Sequence, residues 1–206
     1  MVTRIGLIGA YGSGKTSLAA ALGDAIDSTV LPMAKMWPAG AHNFQSVHEW
    51  TPPYLIQAST LRFADRLRTE SSHQHGFISD GTVFHDWAYT ETRLRWGSYP
   101  SDENFVDPST LTGNAESLLD INSAHLEAVK VHAEGSYEIL FHLPIEYPLR
   151  DDNRPIDEEF RIKSDKLLLD AVSKTRIPVH VLHGSIAARI DQARRLLPSK
   201  LNSQAR

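Results

Sequence analysis

Residues 9–16 read GAYGSGKT and match the phosphate-loop pattern G-x-x-x-x-G-K-[ST] at every fixed position. The pattern carries weight only in context, because a strand must lead into it and a helix must leave it. Val2 to Ile8 (VTRIGLI) is short and rich in β-branched residues, so it predicts that strand. TSLAAALGDAI, directly after the lysine, is built of strong helix formers. Both conditions hold, and a site for a nucleoside triphosphate follows. The pattern leaves the destination of the γ-phosphate open among water, a small molecule and a nucleic acid.

In such a loop the backbone N–H groups and the positive end of the following helix cradle the phosphates. Lys15 would reach the β- and γ-phosphates and the Thr16 hydroxyl would bind Mg²⁺. Gly9, Gly12 and Gly14 permit close backbone approach, and Ser13 and Ser17 are further nucleotide contacts. Ser17 either touches the α-phosphate or is an ordinary first-turn residue.

The rest of the chain alternates strand and helix. STVLPM (28–33) predicts a second, weak strand. Residues 34–52 mix Pro, Gly, Trp and His without a period and predict a loop. Residues 53–72 carry Leu55, Ile56, Ser59, Phe63 and Leu67 at helical spacing after a pair of prolines. GFIS (76–79) predicts a buried strand ending at Asp80, and helices are expected over 82–96 and 114–134. YEILFHL (137–143) is a clear strand, a helix is expected over 157–174, and a last strand and helix over 178–182 and 185–197. This order implies an α/β sandwich with a mostly parallel sheet, in one domain spanning 1–206.

Asp80 ends a strand, where an acid can hold Mg²⁺ through water or act as base on an acceptor; the alternative is a helix N-cap. Asp86, six residues on, faces either solvent or an acceptor pocket. Arg62 and Arg66 share a helix face at i, i+4, and either bind an anionic acceptor or form a solvated face. Arg150, Arg154 and Arg161 bracket a proline-bounded polar stretch over about 146–161 and form either a lid over the transferring phosphoryl group or ion pairs with adjacent acids. Trp37 and Trp50 lie where an acceptor base could stack, or else pack in the core, which is the default for tryptophan. Ten histidines show neither HExxH nor His/Cys ligand spacing.

A net charge of −4 argues against a broad nucleic-acid surface, and the absence of cysteine excludes disulfides. No apolar run approaches the roughly 20 residues of a membrane span. A cytoplasmic protein is expected.

GAYGSGKT, FISDGTVFHDWAY, LPIEYPLRDDNRPIDEEFR and VHVLHGSIAARI together resemble the small phosphate-loop kinases related to the ribosylnicotinamide kinase domain, and the wider deoxynucleoside and nucleoside-monophosphate kinase group. The resemblance implies the P-loop NTPase three-layer sandwich, with a five-stranded parallel sheet in the order 2-3-1-4-5. It implies an arginine lid containing Arg150 and Arg154, and His183 near the adenine of ATP. It also implies an acceptor region over about 34–72 and, commonly, a homodimer. The sequence departs from the group twice. Met33 or Ala34 stands where an acid often ends the second strand, and Gly81 follows Asp80 where many members carry arginine. Asp80 or Glu49 is then left to act as base.

These readings converge on an ATP- and Mg²⁺-dependent phosphotransferase acting on a hydroxyl of a small molecule, a nucleoside or nucleotide. Two alternatives stand beside it. One is a kinase acting on a modified base or an end in DNA, with Arg62, Arg66, Arg68, Arg93 and Arg95 lining a groove. The other is a regulatory nucleotide-binding ATPase.

Overall fold

The computed structural model describes residues 3–33, 50–73, 75–102, 115–149 and 156–198. Along them run β1 (Arg4–Ile8), α1 (Lys15–Ile26), β2 (Val30–Leu31), α2 (Pro52–Ser71), β3 (Phe77–Asp80), α3 (Val83–Trp96), α4 (Ala115–Ser136), β4 (Ile139–His142), α5 (Glu158–Ser173), β5 (Val179–Val181) and α6 (Ile186–Leu196). The strands form one parallel sheet in the order β2-β3-β1-β4-β5. Asp157 and Ser185, read as the first residues of the last two helices, are their N-caps, each accepting a backbone N–H three residues on.

Strand β1 is paired on both sides, and its Ile5, Leu7 and Ile8 are fully buried. That is the pattern of a parallel strand covered on both faces. One face packs Leu18, Leu22 and Ile26 of α1 with Ala193 of α6 against Ile5, Leu7 and Phe141. The other packs Phe84 and Trp87 of α3, Val129 and Ala133 of α4, and Leu168 and Val172 of α5 against Ile8, Phe77 and Leu140. A third cluster, with Trp50, Tyr54, Leu55, Ala58 and Leu94, joins α2 to α3.

Helix α2 departs from its apolar reading. Leu67, expected inward, is 38% exposed, while Arg66 and Glu70 are buried at 3% each. The inward stripe therefore runs from Leu55 and Ser59 to Arg66 and Glu70, and its second half is polar. Those two side chains serve the strand ends described below, and Leu67 is turned out by helical geometry.

Because all five strands run the same way, their C-terminal ends share one edge of the sheet. The loops leaving that edge build the site, as in other open α/β sheets. The layers are also close at Gly6: an added Cβ would lie 2.5 Å from Leu140 Cδ2 and 2.7 Å from Thr82 Cγ2. Gly6→Ala is expected to destabilise by about 1–3 kcal/mol through overpacking. Scanning calorimetry checks it, with the midpoint expected several degrees lower at ~2–4 °C per kcal/mol for a domain of this size.

Candidate active site

The phosphate loop is held by its carbonyls. The Lys15 ammonium donates to the carbonyls of Gly9 and Ala10, at 2.8 Å each. His85 Nε2 bonds the Gly9 carbonyl at 3.1 Å, Arg161 Nε donates to Tyr11 O at 2.7 Å, and Arg189 Nη1 donates to Ser13 O at 2.8 Å. A trans peptide sends its N–H away from its C=O. Pinning the carbonyls on one side therefore directs amides such as those of Gly12 and Gly14 to the other. Gly9 has φ 143°, and a Cβ there would lie 2.4 Å from the Leu143 carbonyl, so the turn tolerates no side chain.

The amides open into a cleft of about 610 Å³. It is lined by the loop, by Tyr147 to Leu149 after β4 and by Gly184 to Ile186 before α6. Thr16 and Ser17 are exposed on this wall, at the start of α1. Ser13 is buried, and its hydroxyl has no partner. Burial lowers the Lys15 ammonium to about 8, against the opposing charges of Asp80 and Asp165; the Arg161 charge lowers it further. A buried cation at the floor of a cleft rich in N–H donors suits a polyphosphate.

His85 is held neutral. Burial, then the Lys15 charge, keeps it well below the ordinary histidine range. Its Nδ1 accepts the Thr82 N–H at 2.9 Å, which leaves the ring hydrogen on Nε2 to donate to Gly9. One ring thus caps α3 and anchors the phosphate loop. Arg189 also bonds Glu146 at 2.8 Å, and Glu146 accepts the Gly184 N–H, so β4, β5 and the loop are tied together at the cleft rim.

Asp80 is 3% exposed at the end of β3, and its Oδ1 has no hydrogen-bond partner among the described residues. With the exposed Thr16 hydroxyl, this orphaned oxygen fits a hydrated Mg²⁺ ion that the nucleotide phosphates would complete. Among the described residues there is no cluster of three or more His, Asp or Glu able to hold a metal unaided.

The solvated-face alternative fails for all three residues to which it applied. Asp86 is buried at 6% and pairs with Arg62 at 2.6 Å, with side-chain exposures of 5% and 16%. The pair borders a small pocket with Ser59, Tyr89 and Arg93. Ser59 Oγ, Arg62 Nε and Tyr89 OH are buried there without partners among the described residues. Burial raises the Tyr89 hydroxyl above its ordinary range. Arg66 is turned into the protein, where it bonds Pro32 O, Ser79 Oγ and Asp80 O. Arg62 and Arg66 are thus turned inward and Arg95 is paired to Glu91 at 2.6 Å, while Arg68 is exposed and bonded to Asp65.

The exposed imidazole of His183 meets Glu146 at 3.0 Å, while its neighbours Gly184 and Ser185 line the cleft. Arg161 is not an exposed lid residue: at 1% exposure it joins Tyr11 O to Tyr147 O and pairs with the adjacent Glu158 at 3.1 Å, as the ion-pair alternative expected, and its Nη2 has no partner among the described residues. Trp37, Glu49, Arg150 and Arg154 lie outside the described residues.

Three contributors escaped the sequence reading: His85, Arg189 and the buried His142–Asp165 pair at 3.3 Å. His85 was legible in part, since it stands three residues after Thr82, in capping-box register. Arg189 carries no local signal, for its partners are 176 and 43 residues away.

An AAA domain family model matches residues 4–189, and the chain belongs to that family. Its fold is also that of solved nucleoside kinases. Deoxyadenosine kinase from M. mycoides with bound dATP superposes with a TM-score of 0.64 at 14% identity, over 98% of this chain and 100% of that one. The same enzyme with bound dCTP gives 0.64 at 14%, and with products dCMP and a flexible dCDP 0.63 at 13%, over the same shares. No curated protein sequence matches. The chain is a P-loop domain with the architecture of a small kinase. Among the described residues no helix is long and apolar enough to cross a membrane.

The neutral His85 makes stability pH-dependent with a defined sign. Below about 6.5 the unfolded chain gains a proton that the native state refuses, so stability falls as pH drops. His125, also lowered by burial, contributes alike to wild type and variant. Between pH 6.5 and 5, denaturant unfolding is expected to show wild type losing about 1.4 kcal/mol per pH unit more than His85→Gln.

Proposed function

We propose that the protein is an ATP- and Mg²⁺-dependent kinase that moves the γ-phosphoryl group to a small nucleoside-like acceptor, a nucleoside or nucleotide. The observation that carries this reading is the unpartnered buried oxygen of Asp80, electrostatically coupled to Lys15. A nucleotide switch needs a phosphate cradle, whereas transfer needs an acceptor pocket beside it. The Arg62–Asp86 pair supplies such a pocket, with guanidinium and carboxylate able to read the donors and acceptors of a base.

In this reading the loop amides and Lys15 bind the triphosphate, and Gly184 to Ile186, next to His183, border the adenine. Thr16 and Asp80 hold Mg²⁺, which supplies charge neutralisation on the β- and γ-phosphates. Arg62 and Asp86 orient the acceptor, with Trp37 as a stacking partner, and Arg150 and Arg154 close from the lid. Arg161, fixed between the loop and Tyr147, keeps one guanidinium nitrogen for the transferring group. The acceptor oxygen attacks phosphorus in line and the pair of the breaking bond leaves with ADP. Positioning supplies most of the rate.

ADP release from Mg·ATP, followed across a panel of nucleosides and nucleotides, tests this. At least one acceptor is expected to accelerate ATP consumption, and Asp80→Asn is expected to lower kcat about 10²–10³-fold with ATP affinity little changed. ATP binding without acceleration by any acceptor rejects the kinase reading. Asp86→Asn leaves Arg62 buried without its counter-ion, at a cost of about 3–5 kcal/mol. It should raise the acceptor KM far more than the KM for ATP.

A further inference from the structure

We infer that the acceptor is anionic: a nucleoside monophosphate whose phosphate is received by Arg66. This rests on the kinase reading above and specifies its acceptor.

Arg66 is a buried cation at the strand edge where the acceptor must lie. Its Nη1 donates to Pro32 O at 3.1 Å, just past β2, and to Ser79 Oγ at 3.0 Å, and Nη2 reaches Asp80 O at 3.4 Å. All three partners are neutral oxygens. Among the described residues no carboxylate forms an ion pair with Arg66; Glu70 is reached only through Ser79, whose hydroxyl donates to it at 2.8 Å. The Nε has no partner, and the second hydrogen of Nη2 is uncommitted among the described residues. A guanidinium at 3% exposure with two N–H groups left over is a half-built anion site.

The carboxylates at the same edge point the same way. A hydroxyl acceptor must lose a proton, and a carboxylate is the natural base. Among the described residues Asp86 is committed to Arg62, Asp165 to His142, and Glu146 to Arg189 and Gly184. Asp80 keeps a fully buried oxygen without a partner among the described residues, and in the kinase reading that oxygen goes to the metal. A phosphate monoester, with a second pKa of about 6, arrives largely deprotonated and needs no base. It needs a cation instead. Its oxygen forms the new bond to the γ-phosphorus as the bond to the β-bridging oxygen breaks, and ADP departs with that electron pair. No proton moves.

Arg66 lies near the wall of the phosphate cleft. The point where a Cβ of Gly81 would sit is 3.9 Å from Arg66 Nη2, 3.8 Å from Met33 Cε and 3.6 Å from His85 Nδ1. Met33 also lines the cleft and is 37% exposed. The corner is filled at van der Waals distance, and the unbranched thioether of Met33 is the side chain that would have to swing aside for a phosphate to reach Arg66.

The experiment compares each nucleoside with its own 5′-monophosphate as acceptor for the full chain with Mg·ATP, and identifies products by mass spectrometry. Nucleoside diphosphates are expected, with kcat/KM about 100-fold or more above that of the matched nucleoside. Arg66→Gln is expected to raise the monophosphate KM about 10–100-fold while leaving the KM for ATP unchanged, and Arg66→Lys to recover part of the loss. If Arg66→Gln does not fold, the wild-type panel and Arg66→Lys decide. Turnover of nucleosides but not monophosphates overturns this inference and leaves the kinase reading standing. So does a folded Arg66→Gln with an unchanged monophosphate KM. Failure of every acceptor overturns both.

Discussion

Four buried donors hold the phosphate loop by its carbonyls, and the geometry of the site follows from that restraint. Lys15, His85, Arg161 and Arg189 each bond at least one carbonyl between Gly9 and Ser13. They come from α1, α3, α5 and α6, so the loop is the point at which both helical layers meet. A loop of mostly small residues has large conformational entropy to lose. The four donors remove that freedom before any ligand arrives, and preorganised donors cost nothing to reorient when an anion binds. Keeping His85 neutral spares the site a further cation beside Lys15, at the expense of acid stability.

The second layer of design lies in α2. A helix with this position in the fold would ordinarily bury leucine and phenylalanine along its inner stripe. Here the stripe ends in Arg66 and Glu70, linked through Ser79 and closed by Tyr137 and His132, which bond Glu70 at 2.7 and 2.8 Å. Buried charges of this kind contribute little net stability compared with apolar packing. Their value lies in fixing the ends of β2 and β3 relative to one another, since Arg66 bonds the backbone of Pro32 and of Asp80. The ends of β2 and β3 are thus clamped by one guanidinium.

Much of the fold was legible because it is written locally. The loop, the strand before it and the helix after it are contiguous, and the helix borders follow caps such as Asp157 and Ser185. The strand order came through resemblance rather than from spacing, and the sheet has that order. What could not be read was the inward or outward turn of charged side chains on helices. Arg62, Arg66 and Asp86 lie in patterns that suit a solvated face equally well, and only long-range packing decides. Arg62 meets Asp86 across two helices, and Arg66 meets a proline carbonyl 34 residues away. Arg161 was legible in part: it does pair with the adjacent Glu158, but two further partners are backbone carbonyls of distant loops.

The central claim is that the γ-phosphoryl group passes from the loop to an organic acceptor. Tracing the label from γ-³²P-ATP in a single turnover, with excess enzyme and a mixture of nucleosides and nucleoside monophosphates, tests it most directly. The account predicts that the label appears on the acceptor, with little free inorganic phosphate and none transferred by the Lys15→Met variant. Label recovered only as inorganic phosphate, at the same rate with and without acceptors, would contradict it.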